Sequence, residues 1–453
     1  MKLKKTILLG AGLLSVASLM SAPALADDAA MLKLIRVLEH NGTLNAEAAT
    51  ALRDTVTVQE TAQAEKTKKA IEEATKDNLK ITTKGKLAIE SPDGDFKFKF
   101  NGRIMGDATF VNSDETNLSS GTELRRARFG FGGTIFKVWD FQLTPDFGQG
   151  SASVTDAYIR YKGFENNKIT VGNHHAPFAM ELADSSKYMT FIERSIGSEL
   201  IQGSSGPGNR RMGLSSFHNG DNWTAQYGVF GKGVNGNSGT GDDRVTYSAR
   251  ATFAPIHEKT HALHFGAGYA YQDFDKDGLD VRLRSRPGTH TGIRWIDSTV
   301  TADGAEFLTL DAAYVNGPFS VQAEYDRAMI DAETGSDVDV DSYFVQADWF
   351  LTGESRKYKA KSGHFSSVKP KGEVGKGGIG AWQIGARFAS ADMNDGTHVG
   401  GELDVLTLGL NWYATKNVRF MANYNEVLDV KDSSTVSDGD EPSSFVLRSQ
   451  VFW

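Results

Sequence analysis

Sixteen short runs of alternating apolar and polar residues, an aromatic C-terminal strand and a leader at the N-terminus predict an all-β chain. The architecture expected is a 16-stranded antiparallel transmembrane β-barrel with a short N-terminal helical periplasmic segment. The last strand carries the argument most plainly. In the final stretch Phe445, Leu447, Val451 and Trp453 fall on one side, and Arg448 and Gln450 on the other. Lipid touches one face of such a strand and a watery lumen the other. A large soluble β-sandwich also alternates, but it hides its apolar face inside and needs neither a leader nor a terminal aromatic residue.

At the N-terminus, Lys2, Lys4 and Lys5 precede an apolar run from Ile7 to about Met20, and Ala24-Leu25-Ala26 offers the small residues of a cleavage site. Residues 1–26 therefore read as a signal peptide. Beyond it no run of about 18 apolar residues remains, which excludes a helical membrane protein and leaves a closed barrel as the membrane fate. The absence of cysteine suits an oxidising periplasm. The formal charge of −8 becomes −11 without the three leader lysines, so bulk charge alone does not point to anions as partners.

Residues 27–80 are helix-prone. Met31, Leu34, Ile35 and Leu38 recur at helical spacing, Asn41-Gly42 marks a turn, and a polar segment rich in Ala, Glu and Lys follows. A periplasmic helix pair, an oligomerising coil and a mobile tether all fit this pattern. Residues 81–453 form the barrel, with strands beginning near Asp95, Glu123, Trp139, Thr155, Lys168, Met212, Asn222, Arg244, Ala262, Glu306, Phe319, Asp339, Ala381, Leu403, Val418 and Ser443. The outward faces include Phe96, Phe98 and Phe100; Trp223, Tyr227 and Val229; and Leu406, Leu408, Leu410 and Trp412.

If parity fixes the outward face, the lumen face follows. Lys97, Lys99, Arg103, Arg126, Arg128, Arg244, Arg250 and Arg448 point inward as one basic side, while Asp311, Glu324, Asp326 and Asp348 point inward from the opposite wall. Parity sets Arg125 with Ala127 and Phe129, at the rim. In the connection from Asp273 to Ala305, Arg282, Arg284 and Arg286 project to one side of an extended segment, with His290 and Arg294 beyond. Such a row hands an oxyanion from one donor fork to the next; a basic loop touching lipopolysaccharide phosphates is the rival reading.

Six segments together resemble the phosphate-selective porin O and P family across nearly all of residues 80–453. They are Asn101-Gly102-Arg103, the run from Leu124 to Gly133, Ser185 to Tyr188 with Glu193-Arg194, Phe253 to Glu258, Leu351 to Glu354, and Leu408 to Ala414. The resemblance implies a homotrimer of barrels, each narrowed by an inward third loop at about residues 174–211. It implies passive passage of phosphate or a related oxyanion across the outer membrane of a Gram-negative type envelope. An arginine ladder looks matched by Arg282, Arg284 and Arg286, a central region by Arg103, Arg125, Arg126 and Asp156, and two periplasmic lysines by Lys359 and Lys369. Leu182 and Asp140 stand where phosphate-selective members place lysines, and Arg128 and His175 replace aromatic hydroxyls, so weaker phosphate binding is expected.

Small anions, outer-membrane lipid and lipopolysaccharide are the expected partners, with no nucleic acid and no cofactor. A general diffusion pore of weak selectivity remains an alternative. An outer-membrane barrel enzyme needs Ser, His and an orienting group together at the rim, whereas the histidines here are scattered and His174 and His175, adjacent in an extended stretch, project to opposite sides. No Walker, zincin or nucleophile-elbow pattern occurs. A mainly structural envelope protein is the third class.

Overall fold

A computed structural model describes residues 28–75, 78–83, 87–202, 205–234, 244–274 and 278–453. The leader lies outside them. In the N-terminal unit, α1 (Asp28–His40) and α2 (Ala46–Thr75) pack through Ile35, Ala49 and Val56. Gly42, at φ +71°, turns the chain between them, and the Asn45 side chain caps α2 by accepting from Ala48 N at 2.8 Å.

The second unit, Leu79–Trp453, contains the sixteen barrel strands: β1 (Phe96–Asn112), β2 (Gly121–Ile135), β3 (Trp139–Asp146), β4 (Ser153–Tyr161), β5 (Asn167–His175), β6 (Arg210–Asn219), β7 (Trp223–Phe230), β8 (Arg244–His257), β9 (His261–Phe274), β10 (Ile296–Asn316), β11 (Phe319–Ala332), β12 (Val338–Phe350), β13 (Ala381–Asp392), β14 (Glu402–Tyr413), β15 (Val418–Lys431) and β16 (Ser443–Phe452). Each pairs antiparallel with its neighbour, and β16 pairs with β1 from Ser443↔Asn112 to Phe452↔Arg103, which closes the cylinder. Trp453 seals the seam. Its ring lies where a Cβ on Gly102 would meet it at 2.4 Å, and the two backbones exchange hydrogen bonds of 3.2 Å.

Period 2 survives folding. Phe96, Phe98, Trp223, Tyr227, Val229, Leu408, Leu410 and Leu447 are exposed, whereas Arg250, Arg448 and Gln450 are buried inside. The tenth strand departs from expectation by beginning at Ile296, ten residues before Glu306. The Asp273–Ala305 connection is not an open loop: Leu279–Ser285 pairs with Ile296–Ala302 and prolongs β10 as a hairpin.

The lumen is not evenly open. Within the barrel, loop residues Phe178, Leu182, Ile196 and Leu200 pack with Val281 and Leu283 of the hairpin against inward Phe307, Ile330, Phe344 and Val405. This apolar core fills the side lined by β9–β15. From the periplasmic end the 351–380 turn also reaches in, forming a small hairpin (Lys357–Lys359 with His364–Ser366) whose Phe365 packs on Met180. Arg356, buried in that turn, lies 3.7 Å from Asp184 of the loop and 3.6 Å from Asp348 of the wall.

Candidate functional site

The loop between β5 and β6 carries two short helices, α3 (Met180–Ala183) and α4 (Ile196–Gln202). The loop segment from Ser186 to Arg194 buries Met189, Phe191 and Ile192 against β13–β16 and turns Ser186, Glu193 and their neighbours toward β1, β2 and β16. There Arg103 donates to Ser186 Oγ at 2.6 Å, and Arg125 binds Glu193 with both prongs at 2.8 and 2.9 Å. Glu193 and Asp107 also share Arg448, each at 2.6 Å.

Arg125 faces the lumen, contrary to strict parity. The β1–β2 register shifts between Met105↔Arg126 and Gly106↔Leu124, so Arg125 is the extra residue of a β-bulge. That insertion turns both Arg125 and Arg126 inward while Leu124 and Phe129 both stay exposed outside. Directly across the β1–β2 ladder, Arg103 opposes Arg128. Like charges in that position destabilise a sheet, so their presence marks a place where field matters more than wall stability.

The charges around this constriction do not cancel. Arg125, Arg128, Arg210 and Arg448 are tied to Glu193, Asp146, Asp156 and Asp107. Arg103, Arg126, Arg194 and Lys187 have no carboxylate within ion-pair distance among the described residues. Arg194 donates only to the carbonyls of Glu181 and Asp184, and Lys187 lies over the rings of Tyr188 and Phe452, 5.4 Å from each. Arg126 stands apart. It makes no hydrogen bond or ion pair among the described residues, and its buried Nε lacks an acceptor. Four cations without a carboxylate within ion-pair distance among the described residues thus border one constriction, one of them making no hydrogen bond there, and charged forks of this kind are suited to oxyanions.

Nearer the extracellular mouth, Arg282, Arg284 and Arg286 do share one face, because Val281, Leu283 and Ser285 turn into the core. They are not equivalent. Arg282 is forked onto Asp297 at 2.6 Å, Arg286 and Arg294 flank Glu199 of α4 at 3.4 and 2.8 Å, and the Arg284 side chain has no partner among the described residues. His290 reaches Glu123 at 2.9 Å. At the periplasmic end Lys359 and Lys369 are exposed on the 351–380 turn.

Two expectations about the walls need correcting. Arg250 and Asp311 do not oppose one another across the lumen: they lie on the same wall, two strands apart, and bond at 2.5 and 3.0 Å, with His264 on the same carboxylate at 2.6 Å. Most inward carboxylates thus neutralise nearby arginines or pin the loop, as Glu324 does by accepting from Glu181 N at 3.1 Å. His174 and His175 do not diverge either, since the strand ends at His175 and both residues line one lumen cavity. His174 Nε2 contacts Ser215 Oγ at 2.7 Å and His175 Nδ1 contacts the Gly208 carbonyl at 3.1 Å. Among the described residues no three His, Asp or Glu side chains group as a metal site.

Leu182 is only 3% exposed, at the margin of the apolar core. Asp140 sits at the periplasmic end of β3, bound to Lys162 at 2.6 Å. The loop contributors Lys187, Glu193 and Arg194, with Arg210 at the start of β6, were invisible to period-2 reasoning because loops carry no such period. The Glu-Arg dipeptide at 193–194 was the available signal.

Comparison with known proteins bears on the family and the fold. Porin O of Pseudomonas aeruginosa is 30% identical over 415 residues, spanning 82% of this chain and 92% of that protein. Among solved structures, an anion-selective porin from Comamonas acidovorans has a TM-score of 0.53 at 13% identity, covering 79% of this chain and all of that one. OmpT of Vibrio cholerae in a trimer form has a TM-score of 0.50 at 14% identity, covering 79% and 99%. The family model for the phosphate-selective porin O and P matches residues 98–453, and the chain, an outer-membrane β-barrel, belongs to that family.

Proposed function

We propose that this barrel passes small anions, phosphate or a related oxyanion, by diffusion down their gradient. The observation that carries this is Arg126, a lumen arginine with unused donors beside Arg103, Arg194 and Lys187, none of which has a carboxylate partner among the described residues. In the proposed sequence Arg284 collects an anion at the mouth, the Arg103–Arg126–Arg194 group replaces part of its hydration shell, and Lys359 and Lys369 draw it out. Arg125, Arg128, Asp156, Arg282 and Arg286 act as supports that fix neighbouring charges rather than as open ligands. Such a pore transports without covalent chemistry. Leu182 and Asp140 lie where they tune packing and the exit, so phosphate affinity rests on the arginines. A homotrimer is part of the proposal, supported by the trimer form of one fold relative and by the exposed aromatic patch of Phe98, Phe129, Phe131 and Trp453.

Phosphate titration of chloride current in a planar bilayer tests the reading. Arg126→Ala is expected to weaken phosphate block by about tenfold to a hundredfold, the worth of charge-assisted hydrogen bonds. Identical block in wild type and variant would remove Arg126 from the site.

A further inference from the structure

Below the constriction loop, a cavity of about 320 Å³ opens against the lumen face of β4–β7. Its wall is unlike that of the arginine site above it. Phe217 on β6 points into the lumen, since Met212 and Leu214 of the same strand are exposed on the outer face. Tyr158 lines the cavity from β4, and Pro177 and Ala183 add apolar surface from the loop. Each lumen ring carries a cation: Arg160 lies 4.6 Å from the centre of Tyr158, and Lys168 lies 5.3 Å from that of Phe217.

Neither cation has a carboxylate within ion-pair distance among the described residues. Arg160 donates to Thr170 Oγ1 at 2.9 Å, and Asp140, its cross-strand neighbour, is taken by Lys162. Asp156, the single carboxylate in the lining, is held by Arg210 at 3.0 Å. A hydrated inorganic oxyanion gains nothing from aromatic and aliphatic walls. A flat organic anion gains twice, by charge pairing with Arg160 and Lys168 and by ring contact with Phe217 and Tyr158. The volume falls at the lower end of the ~300–1,000 Å³ typical of small-molecule sites.

We propose that this cavity is a binding subsite for planar organic anions, with an aromatic carboxylate as the simplest occupant. The inference rests on the anion-pore reading and adds a substrate class to it. Benzoate and acetate, equal in charge and headgroup, are the probes. Each is titrated against chloride current through the full-length purified protein, with chloride over potassium preference recorded in the same membrane.

Benzoate is expected to reach half-block at about tenfold lower concentration than acetate, the worth of one good ring contact. Phe217→Ala should bring the two together while leaving the chloride preference intact, and Phe217→Leu, which keeps apolar bulk, guards against a folding defect by restoring part of the difference. Arg160→Gln should weaken both carboxylates. Equal block by benzoate and acetate in the wild type overturns the subsite and leaves the anion pore standing. A benzoate advantage unmoved by Phe217→Ala also overturns it, because the ring then binds elsewhere, as does carboxylate block unmoved by Arg160→Gln. Potassium preference over chloride overturns the pore reading itself.

Discussion

Arg126 and Arg128 are two residues apart on one strand, face the same lumen and have opposite roles. Arg128 is locked to buried Asp146 at 2.6 Å, so Arg128→Ala strands a buried carboxylate and should cost about 3–5 kcal/mol in a urea titration of the folded barrel. Arg126 has no such partner, and its removal relieves repulsion from Arg125 and Arg128. Arg126→Ala should therefore leave stability within about 1 kcal/mol of wild type while weakening phosphate block. The reverse pattern would mean that the roles are exchanged. Glu193 offers a check through pH. Burial pushes its carboxyl up, but the guanidiniums of Arg125 and Arg448 outweigh this and hold it well below the usual carboxylate range. A lowered folded value contributes stability that is full above the unfolded value of about 4.3 and fades as pH falls through the folded one. The advantage of wild type over Glu193→Gln should be equal at pH 7 and pH 5 and smaller at pH 3. A gap that grows on acidification would contradict the bridge.

At the scale of elements, the hairpin of Leu279–Ser285 with Ile296–Ala302, together with Arg286 just beyond it, presents three arginines, and among the described residues only the Arg284 side chain is uncommitted. Arg284→Ala should lower chloride conductance at 0.1 M salt and leave it nearly unchanged at 1 M, because screening shortens from about 10 Å to about 3 Å. The charge-balanced pair Arg282→Ala with Asp297→Ala should conduct like the wild type at both salts. A loss in the double variant would make Arg282 an open ligand. Much of this element was legible beforehand: the Arg-x-Arg-x-Arg spacing put all three side chains on one face. Its ion partners were not, because Asp297 and Glu199 come to it from a strand end and from a loop helix. The bulge at Arg125 was readable in principle. Leu124 and Phe129 have opposite parity yet both need lipid, and only an inserted residue between them satisfies both. Strand existence followed from alternation almost everywhere; β10 started early because Ile296–Ala302 alternates as regularly as the strand it extends.

At the scale of the molecule, the open path runs off-centre. An apolar core occupies the lumen beside β9–β15, so an inward residue there is not a pore residue. Cysteines at Phe344 and Phe307, each 1% exposed, should resist a water-soluble thiol reagent, whereas cysteines at Arg160 and Lys168 should react. Labelling of all four would mean a central, open lumen. Parity could not show this, since it says which way a side chain points and not what meets it there.

The chain bears a formal net charge of −8, so its overall field favours cations, while the constriction carries four cations without carboxylate partners among the described residues. Local and global charge therefore predict opposite signs for one number, the zero-current potential of the purified protein in a planar bilayer under a potassium chloride gradient. The constriction controls permeation if chloride carries the current, giving a potential negative on the side with less salt. A potential of the opposite sign, with potassium as the main carrier, would contradict the account.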